Sequence, residues 1–123
     1  MSDKELIQLS SVLPSFIGLS SLSLLVYSMD CGDVAMENLG SGISKLTSLQ
    51  FLVIHFWNCK VDLQGVINLG EGISSVTSLT YLNFRIDENM FFLDWMNPFW
   101  KLIVNLQNLK VLSVNEEVTD EFR

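Results

Sequence analysis

His55 is the only histidine in 123 residues, and histidine is the residue type suited to moving protons at neutral pH. A catalytic histidine needs a nucleophile or carboxylate within reach. No serine or cysteine here sits in a recognisable nucleophile motif, and no two carboxylates recur at a spacing that suggests an acid/base pair. His55 therefore reads as a surface contact residue. Cys31 and Cys59 are the only cysteines; they form no CxxC pair and have no histidine pair nearby. That arrangement signals neither a zinc site nor a disulfide framework, and two reduced, small apolar side chains are expected. Gly40-x-Gly42 and Gly70-x-Gly72 resemble the start of a phosphate-cradling loop, but Lys45 and Ser75 stand where GxGxxG requires its third glycine. No metal and no cofactor are expected.

The elements that must position these residues follow a beat of thirty. Leu19, Leu22 and Leu24 recur as Leu49, Leu52 and Ile54, as Leu79, Leu82 and Phe84, and as Leu109, Leu112 and Val114. Shifting the chain by thirty also lays Asn38-Leu39-Gly40-x-Gly42-Ile43-Ser44 on Asn68-Leu69-Gly70-x-Gly72-Ile73-Ser74, and Thr47-Ser48-Leu49 on Thr77-Ser78-Leu79. Met36, Leu39, Ile43 and Leu46, like Val66, Leu69, Ile73 and Val76, are spaced as one apolar stripe of a helix of about three turns. Leu52, Ile54 and Phe56, like Leu82, Phe84 and Ile86, alternate at the period of a strand. Helix and strand alternating at a fixed interval imply a parallel sheet, because each strand must be reached by a crossover. The glycine pairs fall inside the helical stripes, where each glycine costs about 1 kcal/mol relative to alanine. Close helix packing is the expected compensation. In the last unit Trp100 and Leu102 replace the glycines, as suits a helix with no following neighbour.

With the ladder residues turned to the core, the alternate residues of each strand face outward. They are Ser21, Ser23, Leu25 and Tyr27; Phe51, Val53, His55 and Trp57; Tyr81, Asn83, Arg85 and Asp87; and Val111, Ser113, Asn115 and Glu117. The candidate partner-binding set is Tyr27, Phe51, Val53, His55, Trp57, Tyr81, Asn83, Arg85 and Asp87, centred on Phe51, Trp57, Tyr81 and Arg85. Rigid aromatics beside an arginine have the make-up of interface hot spots. Phe91, Phe92, Trp95, Phe99 and Trp100 form a second apolar set. It serves as a terminal cap or, through Phe91, Phe92, Trp95 and Trp100, in self-association. Ser2-x-x-Glu5 reads as a capping box, Pro14 should end the first helix near Leu13, and Asn97-Pro98 should open the last with Asn97 as its cap. The acidic run from Asn115 to Arg123 is expected to blunt an edge strand.

Leu49-x-x-Leu52-x-Ile54 and its three copies resemble the LxxLxL core of leucine-rich repeats, over nearly the whole chain. The unit length is similar to the ribonuclease-inhibitor-like subgroup, and Leu-Gly-x-Gly-Ile followed by Leu/Val-Thr-Ser-Leu resembles repeats common in ciliate proteins. The resemblance implies an α/β solenoid arc with a short parallel sheet on the concave side and helices on the convex side. It implies a single domain, 1–123, of about four units (1–30, 31–60, 61–90 and 91–123), and a non-catalytic role in binding proteins. The alternative is a regulatory part of a larger signalling protein, kinase-linked or a ubiquitin-ligase adaptor. The sequence departs from the family where an asparagine usually caps the turn after each strand: only Asn58 fits, and Ser28, Glu88 and Val118 stand at the equivalent positions.

Composition narrows the partners. A net charge of −7 lacks the clustered Lys and Arg that nucleic acid or an anionic membrane demands, so a protein partner with a neutral or basic surface is expected. The longest apolar stretch, Phe16–Met29, is too short to span a bilayer and is broken by serines. The polar, acidic start does not read as a secretory signal, and a cytoplasmic location is expected.

Overall fold

A computed structural model describes residues 3–27, 30–87, 96–114 and 117–119. The chain is α/β. Helix α1 (Asp3–Val12) continues into a 3-10 turn (Leu13–Ser15), and there follow β1 (Ser21–Tyr27), α2 (Asp33–Ser44), β2 (Phe51–Trp57), α3 (Leu63–Ile73), β3 (Tyr81–Asp87), α4 (Met96–Ile103), β4 (Val111–Val114) and β5 (Glu117–Thr119). The sheet runs in the order β1-β2-β3-β4-β5, with the first four strands parallel and β5 antiparallel to β4. Parallel partners lie thirty residues apart throughout: Leu22 faces Leu52, Leu52 faces Leu82, and Leu82 faces Leu112.

Each helix reaches its strand through the same backbone turn, two bonds three residues apart. Leu13, Phe16 and Leu19 make it first; Ile43, Leu46 and Leu49, then Ile73, Val76 and Leu79, then Ile103, Leu106 and Leu109 repeat it. In the last three turns all nine side chains are buried, so one apolar spacing sets both turn and core. The core is a single cluster between the helices and one face of the sheet, filled at its centre by Met36, Leu39, Ile54, Phe56, Leu69, Phe84 and Phe99. The rings of Phe84 and Phe99 stack at 4.4 Å, joining α4 to β3.

The helices pack in sequence order, and glycine sets their distance. A Cβ on Gly72 would collide with the Gly40 backbone, one on Gly40 would lie 2.8 Å from the Asn68 carbonyl oxygen, and one on Gly42 would lie 2.6 Å from the Ser10 carbonyl oxygen. Helix α2 thus sits backbone against backbone between α1 and α3. Gly70 differs: there Leu102 and Phe99 of α4 fill the space with side chains. The Asp3 carboxylate accepts from the Gly32 N–H at 3.3 Å, and Asp62 caps α3 by accepting from the Gly65 N–H at 2.8 Å.

Several expectations need correction. β4 ends at Val114, and the segment read as its continuation returns as β5, with Val118 opposite Ser113 instead of in a turn after a strand. Ser113 belongs to the outward column by register yet is only 6% exposed. Helix α4 starts at Met96, so Asn97 lies within its first turn. α1 does stop ahead of Pro14, at Val12. Ser2, Ser28, Glu88, Phe91, Phe92, Trp95 and Asn115 lie outside the described residues. No described helix is long and apolar enough to cross a membrane.

Candidate functional site

The face of the sheet turned away from the helices carries the candidate residues. Strand alternation puts Leu52, Ile54 and Phe56 at zero exposure on one side of β2 and leaves Phe51 and Trp57 exposed and Val53 and His55 half-buried on the other. The in-register pairing then converts sequence positions into rows across the strands. Tyr27, Trp57 and Asp87 share one row; Leu25, His55 and Arg85 the next; Ser23, Val53 and Asn83 the third; Ser21, Phe51, Tyr81 and Val111 the last.

Trp57 is the hub at the C-terminal end of these strands. The Tyr27 ring meets it edge-on at 5.0 Å, the His55 ring lies nearly parallel to it at 6.2 Å, and the Arg85 guanidinium carbon is 5.7 Å from its ring centre. A guanidinium at that distance is attracted by the negative face of the indole. Trp57 is nevertheless 37% exposed, so its contacts hold it without hiding it. At the other end of the face Phe51 and Tyr81 meet at 6.0 Å in a tilted pair. Between the two clusters, His55 Nε2 donates to the Asn83 side-chain carbonyl at 3.2 Å, a diagonal bond between β2 and β3.

The expected centre of Phe51, Trp57, Tyr81 and Arg85 is therefore two pairs rather than one patch. Trp57 with Arg85 and Phe51 with Tyr81 occupy opposite ends of a strand seven residues long, with Val53, His55 and Asn83 between them. Asp87 falls in the same row as Trp57 by register. The His55–Asn83 bond escaped the row-by-row reading because it joins residues 28 apart, not thirty.

Chemically, the face offers aromatic area, one guanidinium, one imidazole and one primary amide. His55 is oriented by an amide and an indole, neither of which is a nucleophile or a proton acceptor of catalytic use. Among the described residues no three His, Cys, Asp or Glu side chains come together as metal ligands would. The cysteines lie elsewhere. Cys31 and Cys59 are free and buried, and the Cys59 thiol donates to the Val26 and Trp57 carbonyls at 3.4 and 3.3 Å. Asn58, between Trp57 and Cys59, has a positive φ of 54°. Asparagine tolerates that left-handed conformation better than most residues, and there it turns the chain from the exposed Trp57 to the buried Cys59.

No family model matches this sequence, and neither does any curated protein.

Proposed function

We propose that the chain is a leucine-rich-repeat arc, a small cytoplasmic solenoid that acts as a non-catalytic protein-binding module. In this reading the partner lies across the strand face carrying Tyr27, Phe51, Val53, His55, Trp57, Tyr81, Asn83, Arg85 and Asp87. The observation that carries it is the Trp57 cluster. A phenol and a guanidinium are each held against one indole, and Tyr27 and Trp57 remain exposed. Such side chains gain contact area at little entropic loss when already ordered by their neighbours. The thirty-residue offset between strands supports the repeat reading, since identical offsets are what stacked copies of one element pair produce.

The test is affinity capture with the intact chain, followed by titration of each captured protein against Trp57→Ala/Arg85→Ala. Loss of two hot-spot side chains is expected to weaken the true partner about 30-fold or more, at 1 kcal/mol or more each. A control pair on the helical side, Glu37→Ala/Glu71→Ala, should leave it unchanged. Equal binding by the wild type and a folded Trp57/Arg85 variant would refute the assignment.

A further inference from the structure

We infer that the open edge of β1 pairs antiparallel with β1 of a second copy, joining two chains into one continuous sheet about a two-fold axis. This goes beyond the binding face proposed above and does not depend on it.

Four observations converge on β1. First, it is a full seven-residue strand, and no described strand pairs with its outer side. The Phe51 N–H donates to the Ser20 carbonyl, and in a parallel ladder both backbone groups of a residue go to the same side, alternating along the strand. Leu22, Leu24 and Val26 therefore bond toward β2, and Ser21, Ser23, Leu25 and Tyr27 present their N–H and C=O groups outward. Second, this edge has none of the usual protections. Ser21–Tyr27 contains no charge and no proline, and the chain carries no charged residue from Leu6 to Met29. In a molecule of net charge −7, that is the end where a like-charged copy can approach with least repulsion.

Third, apolar surface collects beside it. Val12, Phe16, Ile17, Leu25 and Tyr27 are five of the ten exposed large apolar side chains among the described residues, and Ile17 is 69% exposed. The ladder positions tell the same story: Leu49, Leu52, Leu79, Leu82, Leu109 and Leu112 have zero exposure, whereas Leu19 and Leu22 are only half-buried. Fourth, the opposite edge is poorly suited to pairing. β5 covers β4, is three residues long, and sits in an acidic stretch with Glu116, Glu117, Asp120 and Glu121. A head-to-tail copy would set the seven-residue β1 against this three-residue edge in an acidic stretch, so β1 against β1 is the better match.

The strand is self-complementary in that geometry. With Leu24 on the axis, Ser21 faces Tyr27 of the second copy and Ser23 faces Leu25. All four are outward-bonding residues, so each facing pair exchanges two backbone hydrogen bonds. Facing residues keep the same side of the sheet, so both helix layers lie on one side and Leu22 comes beside Val26 of the second copy.

Sedimentation of the 123-residue chain over a wide concentration range tests this, with amide hydrogen exchange at both extremes. Mass should rise from 13.9 kDa to twice that value and no further. In the dimer, the amides of Ser21, Ser23, Leu25 and Tyr27 should exchange about tenfold or more slowly, while those of Leu22, Leu24 and Val26 are protected at every concentration. Ser23→Pro, which removes an outward donor and spares the β2 ladder, and Leu25→Lys should each return the folded chain to a monomer. A wild type that stays monomeric at millimolar concentration, a mass that climbs past the dimer, or a dimer indifferent to both substitutions and lacking the alternating protection would overturn the proposal. So would a dimer abolished by Trp100→Ala alone. Partner capture through the Trp57 cluster is read separately, so either proposal can fail without the other.

Discussion

Cys31 shows how far burial and neighbouring groups together can shift a thiol. Its thiol is pushed from 9.0 up to about 12, first by loss of water, then by the Cys59 thiol and the carboxylates of Asp3 and Asp30. The sign of the pH effect follows. Above pH 9 the unfolded chain gives up this proton while the folded chain keeps it, so folding holds more protons and stability falls as pH rises. The contribution is complete below pH 9 and disappears progressively towards 12. Urea midpoints measured from pH 7 to 11 should therefore be flat and then decline for the wild type, with a shallower alkaline decline in Cys31→Ala. Matching slopes in the two proteins would show that another group governs the alkaline limb. From the sequence alone both cysteines read as reduced, small apolar side chains, because they lack partners at metal or disulfide spacing, and the structure shows both free and buried. Their proximity was hidden, since it depends on β1 and β2 leading their following residues to one place: the Cys31 N–H donates to the Lys60 carbonyl, next to Cys59.

At the scale of elements, the α2–α3 contact makes a sharp demand. Because a Cβ at position 72 would overlap the Gly40 backbone, and backbone cannot rotate aside, Gly72→Ala must push two helices apart. Helix propensity favours alanine by about 1 kcal/mol. Overpacking typically costs about 1–3 kcal/mol, and here the obstacle is main chain, so a net loss of about 2 kcal/mol is expected in chemical denaturation. A stabilised Gly72→Ala would mean that the helices are not in backbone contact. These glycines were legible as packing devices because they recur inside apolar stripes. The strands were legible too, since a constant thirty-residue interval leaves register nowhere to slip. β5 was not. The reading carried the alternation across Val111–Glu117, although Glu116 stands at the ladder position that holds Phe56 and Ile86, and the reversal after Val114 is decided by pairing with Leu112, Ser113 and Val114. The half-buried state of Leu22 was equally invisible, because a pattern of types does not say which copy lacks a neighbour.

For the molecule as a whole, the core thickens towards the middle. β2 and β3 have a parallel partner on both sides and place Ile54, Phe56, Leu82 and Phe84 at zero exposure. β1 has one described partner, and β4 offers only four residues. Local opening is easiest where burial and neighbours are fewest. Under conditions that keep the chain monomeric, the slowest-exchanging amides should lie in β2 and β3, with β1 and β4 exchanging earlier. Amides of β1 or β4 that outlast those of β2 would show that stability is distributed otherwise. The outward rows inherit this gradient: Trp57, His55 and Phe51 stand on the best-supported strand, and Tyr27 stands on the least supported side.

The short β5 has a consequence that polymer chemistry states most simply. A molecule with two open sheet edges is a bifunctional monomer, able to add at both ends and propagate into a fibre without limit. By replacing one edge with a strand of only three residues in an acidic stretch, β5 leaves the chain proposed to dimerise through β1 with one effective functionality. A monofunctional monomer has no critical concentration and no nucleus to form; its product is the terminated pair. Stripping β5 from β4 would restore the second functionality, and chain growth with it.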